Sequence, residues 1–171
     1  MKIGIIGSGK FGLVLARIAA ENKNEVFIYS RRANEVESIN KKNESLSGFS
    51  FGKLVVSATQ DVNELDNCDA LLVTVASKDF IESISKLNYQ SYQGKFVSCV
   101  KGFEKNSGKL MTEILIDEFN IDSNEVLVLS GPNLSKELGN QELTGTVIAG
   151  EDKIFVDALC NSLKTDYFLP F

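Results

Sequence analysis

The chain has 171 residues, enough for one well-filled core, and its 43% hydrophobic and 24% charged content is that of an ordinary globular domain. A formal net charge of -5 argues against a nucleic-acid partner, which needs a basic surface, but leaves room for a small phosphorylated ligand. Histidine is absent, which excludes Ser–His and Cys–His catalysis and argues against the common metal sites. No metal is expected, and any chemistry must rest on Lys, Asp, Glu, backbone groups or a cofactor.

The chain opens with an apolar run over residues 3–6, read as a strand, followed by Gly7-Ser8-Gly9-Lys10-Phe11-Gly12. A helix begins there, with Phe11, Leu15 and Ile18 on one face. This is GxGxxG in the strand–turn–helix setting that dinucleotide binding requires. Gly7 permits the tight turn, Gly9 lets a diphosphate approach the backbone, and Gly12 lets the helix pack closely on the sheet. The free N–H groups of the first helical turn then face the phosphates. The same glycines break the first apolar stretch, so it does not read as a signal peptide, and no later run is long enough to cross a bilayer.

The second strand, residues 26–29, ends at Ser30-Arg31-Arg32. An NAD-specific site usually places an acid here for the ribose hydroxyls. This chain places Arg31 and Arg32 there instead, a pair suited to a 2′-phosphate. They favour NADP as cofactor without excluding NAD, and a solvated helix start explains them more simply. Residues 40–52 are polar and read as an irregular excursion before a third strand at 54–56.

Further apolar runs at 70–75, 96–100, 126–129, 147–149 and 167–169 read as strands. Helical faces carry Phe80, Ile84 and Leu87, then Met111, Leu115 and Phe119, then Phe155, Leu159 and Leu163. Nearly continuous apolar strands alternating with helices predict an α/β fold: a Rossmann-like, doubly wound, mostly parallel sheet with helices on both faces. Residues 1–171 are expected to form a single domain. Its apolar last residues, Phe168-Leu169-Pro170-Phe171, are expected to continue into something that covers them. Cys68, Cys99 and Cys160 are widely spaced and form no CxxC pair, so reduced thiols and a cytoplasmic location are expected; Cys99 reads as a small core residue.

Three more strand ends carry candidate residues. Ser77 follows the fourth strand and can cap the next helix, which explains it as well as a ligand contact does. Lys101, before Gly102, can reach an anionic or carbonyl oxygen in the crevice, or simply reach water. In Ser130-Gly131-Pro132-Asn133-Leu134-Ser135-Lys136-Glu137-Leu138 the Gly-Pro pair makes a tight turn, and capping is the plainest role for Asn133.

These pieces, with Lys101-Gly102-Phe103-Glu104, stand in an order and at a spacing that resemble bacterial-type NAD(P)-dependent glycerol-3-phosphate dehydrogenases along nearly the whole chain. The resemblance implies hydride transfer between NAD(P)H and dihydroxyacetone phosphate, giving sn-glycerol 3-phosphate for phospholipid synthesis. It implies cofactor contacts from Lys10, Phe11, Arg31 and Ser135. Lys101 would lie between nicotinamide and substrate, and Gly131 and Asn133 beside the substrate. Two positions depart from the family, Ala76-Ser77 where it has Pro-Ser and Leu143-Thr144 where it has Pro-Thr. The resemblance further implies a helical second domain that supplies the general acid/base lysine and the phosphate grip. No catalytic residue is therefore assigned in this chain, which is expected to be inactive alone. A homodimer is compatible with the resemblance. Two other readings are a stand-alone NADP-binding module and the cofactor domain of a ketopantoate or 6-phosphogluconate type reductase; the Lys101-Gly102 and Gly131-Pro132-Asn133 pieces argue against the second.

Overall fold

The computed structural model describes residues 1–171. Eight strands form one sheet: β1 (Lys2–Ile6), β2 (Glu25–Tyr29), β3 (Ser57–Thr59), β4 (Ala70–Val73), β5 (Lys95–Ser98), β6 (Val126–Ser130), β7 (Thr144–Gly150) and β8 (Phe168–Pro170). Their spatial order is β3-β2-β1-β4-β5-β6-β7-β8, and only the β6–β7 pair is antiparallel. The order reverses between β1 and β4, the switch point outside which doubly wound sheets bind ligands. No helix is long and apolar enough to cross a membrane.

Six α-helices complete the fold: α1 (Lys10–Glu21), α2 (Ala33–Lys42), α3 (Phe80–Ser85), α4 (Met111–Asp117), α5 (Ser135–Gly139) and α6 (Lys153–Leu163). Two apolar clusters lie on opposite faces of the sheet. One joins α1 and α6 to alternate residues of β1 and β2 through Ile5, Leu15, Ile28 and Leu159. The other joins α3 and α4 through Ile6, Phe80, Phe96 and Ile114. All four residues of β4 are buried, which is why it reads as an unbroken apolar run. In β7 buried and exposed residues alternate from Thr144 to Ala149, so only one of its faces meets the core. Its apolar run is accordingly shorter than the strand.

The third strand departs from expectation. Residues 54–56 are not a strand, and β3 lies just beyond them. α2 ends at Asn43 in the left-handed region (φ 53). The Asn43 side-chain amide donates to the carbonyls of Gly52 and Leu54, holding residues 52–54 back over the helix end. Pairing with β2 starts only at Ser57, after Asn40 has exchanged two hydrogen bonds with Ala58. The irregular excursion consequently begins at Asn43, since residues 40–42 are helical.

All three cysteines are free. Burial pushes the Cys68 thiol up to about 12 and raises Cys99 as well, so both are inert core residues.

Candidate functional site

The glycine turn rests on backbone constraints that demand glycine at Gly7 and at Gly12. Gly7 has φ +113, a left-handed conformation, and its N–H donates to the Tyr29 carbonyl at 3.1 Å. A Cβ on Gly12 would stand 2.6 Å from Thr74 Oγ1 and closer still to the Gly7 carbonyl oxygen. A Cβ on Gly9 would meet nothing within 4 Å, so the backbone there borders open space. Gly9 is the N-cap of α1 and offers no side-chain acceptor, which leaves the first-turn N–H groups free to meet an anion. The tight turn at Gly7 and the close packing at Gly12 are as expected from the sequence.

Sequence reasoning passed over Thr74, the residue after β4. Its hydroxyl lies 3.1 Å from both the Ile6 and the Gly7 carbonyls and ties the turn to the sheet. The only signal was one polar residue within the apolar run 70–75. Ser8 turns inward, its Oγ 2.7 Å from Ser30 Oγ and accepting from Arg32 Nη2 at 3.3 Å.

Gly7, Ser8, Gly9, Arg31 and Arg32 together line a cavity of about 240 Å³. Arg32 Nη2 reaches the Ser8 carbonyl at 3.4 Å and Glu35 Oε2 at 3.5 Å. Glu35, another residue missed by sequence reasoning, is 1% exposed and also accepts from the Leu46 N–H at 3.2 Å. Arg31 lies 3.7 Å from Asp79 and 3.9 Å from Glu82 across the cavity. Lys86 chiefly, with Arg31 adding, holds the Glu82 carboxyl below its ordinary range. Both arginines remain more than half exposed, so their guanidinium edges are open to a ligand.

A second group gathers beyond β5 and β6. Lys101 Nζ donates to the Asn133 carbonyl at 3.2 Å, bringing Lys101, Gly131 and Asn133 together. Asn133 is not the cap of α5, whose N-cap is Leu134. Its side chain is buried instead, and Nδ2 donates to Thr146 Oγ1 on β7 at 2.8 Å. The Thr146 hydroxyl in turn donates to the Ser130 carbonyl at 3.1 Å. That bond turns the amide inward, so Asn133 offers the crevice its backbone rather than its side chain. Ser77 also caps nothing. It opens a short 3-10 turn, Ser77–Asp79, whose N-cap is Ala76, and it lies next to the cavity lining rather than in it. Lys10 and Ser135 line a separate pocket of about 430 Å³ between α1 and α5, and Phe11 packs partly against the core.

The family model described as NAD-dependent glycerol-3-phosphate dehydrogenase N-terminus matches residues 2–156. The chain is 34% identical over 169 residues to a glycerol-3-phosphate dehydrogenase [NAD(P)+] of Alcanivorax borkumensis, covering 96% of this chain and 48% of that protein. It is 31% identical to one of Neorickettsia sennetsu, covering 96% and 49%. Among solved structures, glycerol-3-phosphate dehydrogenase of Plasmodium falciparum superposes with a TM-score of 0.84 at 26% identity, covering all of this chain and 52% of the other. The Coxiella burnetii enzyme, at 23% identity and a TM-score of 0.86, covers 99% and 53% and supports the fold. The chain thus spans about half the length of the curated relatives it matches. By the extent of this match, the chain belongs to the NAD-dependent glycerol-3-phosphate dehydrogenase N-terminal family.

Proposed function

We propose that residues 1–171 form one NADP(H)-binding unit of a dehydrogenase that interconverts dihydroxyacetone phosphate and sn-glycerol 3-phosphate for phospholipid synthesis. The observation that carries the reading is the open space over Gly9 beside the free first-turn N–H groups of α1. A diphosphate fits there because no side chain competes for those donors. When bound, the nicotinamide dinucleotide supplies or accepts the hydride.

Ser8 through Gly12 cradle the diphosphate through their backbone, and Lys10 adds a nearby cation. Arg31 and Arg32 receive the 2′-phosphate, since the end of β2 carries no acid to bind ribose hydroxyls. NADP is therefore preferred over NAD. Ser77 and Ser135 flank the cofactor. Lys101, already fixed on the Asn133 carbonyl, holds the reacting oxygen, and Gly131 and Asn133 border the substrate through their backbone. No residue of this chain is assigned the proton transfer, so the chain is expected to lack turnover by itself. The free thiols fit a cytoplasmic setting.

Fluorescence titration with NADPH and NADH tests the reading. The expected result is saturable binding of both, with NADPH the tighter by about tenfold or more. Equal or tighter NADH binding overturns the preference for NADP.

A further inference from the structure

Arg17 lies on α1, five residues beyond Gly12, and its side chain is only 14% exposed. Its Nη2 donates to the Leu138 carbonyl at 2.7 Å and its Nη1 to the Gly139 carbonyl at 3.1 Å. Those two carbonyls close α5, and the last carbonyls of a helix have no acceptor role within it. The guanidinium carbon lies 5.2 Å from the Phe49 ring centroid and 5.9 Å from that of Tyr167. Glu21 completes the arrangement, 3.6 Å from Arg17 Nε and 2.6 Å from the Tyr167 hydroxyl. One side chain thus joins α1, the turn before β8, the excursion around Phe49 and α5.

In a doubly wound sheet the two halves of a dinucleotide lie on either side of the switch point. Arg31 and Arg32, beyond β2, belong to the adenosine side. Lys101 and residues 130–135, beyond β5 and β6, belong to the nicotinamide side. Only five residues long, α5 has little stability of its own. Its entry is the Asn133–Leu134 segment, and the Asn133 carbonyl is what holds Lys101 Nζ.

We propose that Arg17 is a positioning residue for the nicotinamide side of the cleft: by clamping the end of α5 it sets where the Asn133 carbonyl, Lys101 and Ser135 stand. This rests on the dinucleotide reading and extends it to a residue that the reading did not use. A methionine at this position keeps the apolar stem and removes the two donors. A lysine keeps the charge but cannot bridge two carbonyls with a planar fork.

Calorimetry on the full chain with two probes separates positioning from simple support of the fold. The first probe, 2′,5′-ADP, occupies only the adenosine side; the second, NADPH, occupies both. In Arg17→Met the affinity for NADPH is expected to fall about tenfold or more, with that for 2′,5′-ADP held within about twofold. Arg17→Lys is expected to fall between the two and provides the comparison should Arg17→Met fail to fold. Unchanged NADPH affinity in the variants, or a parallel loss for both probes, overturns the proposed role. Failure of the unsubstituted chain to bind either probe overturns the dinucleotide reading and the role of Arg17 with it.

Discussion

Gly12→Ala is expected to lower stability by about 1–3 kcal/mol, the usual cost of forcing extra volume into a packed site, and to abolish NADPH binding. The new methyl would stand 2.6 Å from Thr74 Oγ1 and closer to the Gly7 carbonyl, neither of which can yield freely. Thr74 is bonded to both the Ile6 and Gly7 carbonyls, so the whole turn must move if α1 lifts. The N–H groups of the first helical turn then lose their common aim. Gly9→Ala is the contrasting case. Its Cβ meets nothing in the protein, so the melting temperature is expected to stay close to that of the parent chain. The methyl would nonetheless occupy the space assigned to the diphosphate, and affinity is expected to fall by about tenfold or more. Thermal melting and NADPH titration of the two variants check this. Equal effects on stability, or normal binding by Gly9→Ala, would show that the open space is not the phosphate site.

The second expected result concerns Arg31 and Arg32. Replacing both with alanine is expected to weaken NADPH binding by roughly 10–100-fold, about 1.4–2.8 kcal/mol, and to change NADH binding by no more than about threefold. The asymmetry follows from the 2′-phosphate, which only NADPH carries. Arg32 has a second role, because it pairs with Glu35, which is 1% exposed. Removing Arg32 leaves that buried carboxylate with the Leu46 N–H alone, so some stability is lost as well. Arg31→Ala separates the two effects, since its partners Asp79 and Glu82 keep contact with water. Comparison of NADPH and NADH affinities for the single and double variants is the check. A uniform loss for both nucleotides would assign the arginines to the fold instead of to cofactor choice.

The features legible in the sequence are those whose cause is local. Residues 3–6 and 26–29 read correctly as strands because both faces of the sheet are covered and nearly every position is apolar. The glycine positions were legible because the GxGxxG spacing itself marks a strand–turn–helix, although the atoms that crowd Gly7 and Gly12 include those of Thr74. Features decided by distant partners were hidden. The apolar residues at 54–56 resemble a strand, but Asn43, eleven residues before Leu54, takes the carbonyl that a strand would need. Asn133 looks like a helix cap until Thr146, thirteen residues later, draws its amide into the core. Arg17 drew no reading from the sequence at all. Its acceptors at Leu138 and Gly139 lie more than 120 residues away, and no periodicity points to them.

Amide chemical shifts of isotope-labelled chain during titration with NADPH test the central claim most directly. The account predicts saturable shifts at Gly9, Lys10, Phe11 and Gly12, accompanied by Arg31 and Arg32. Saturation confined to other residues, or none at the first turn of α1, would contradict it.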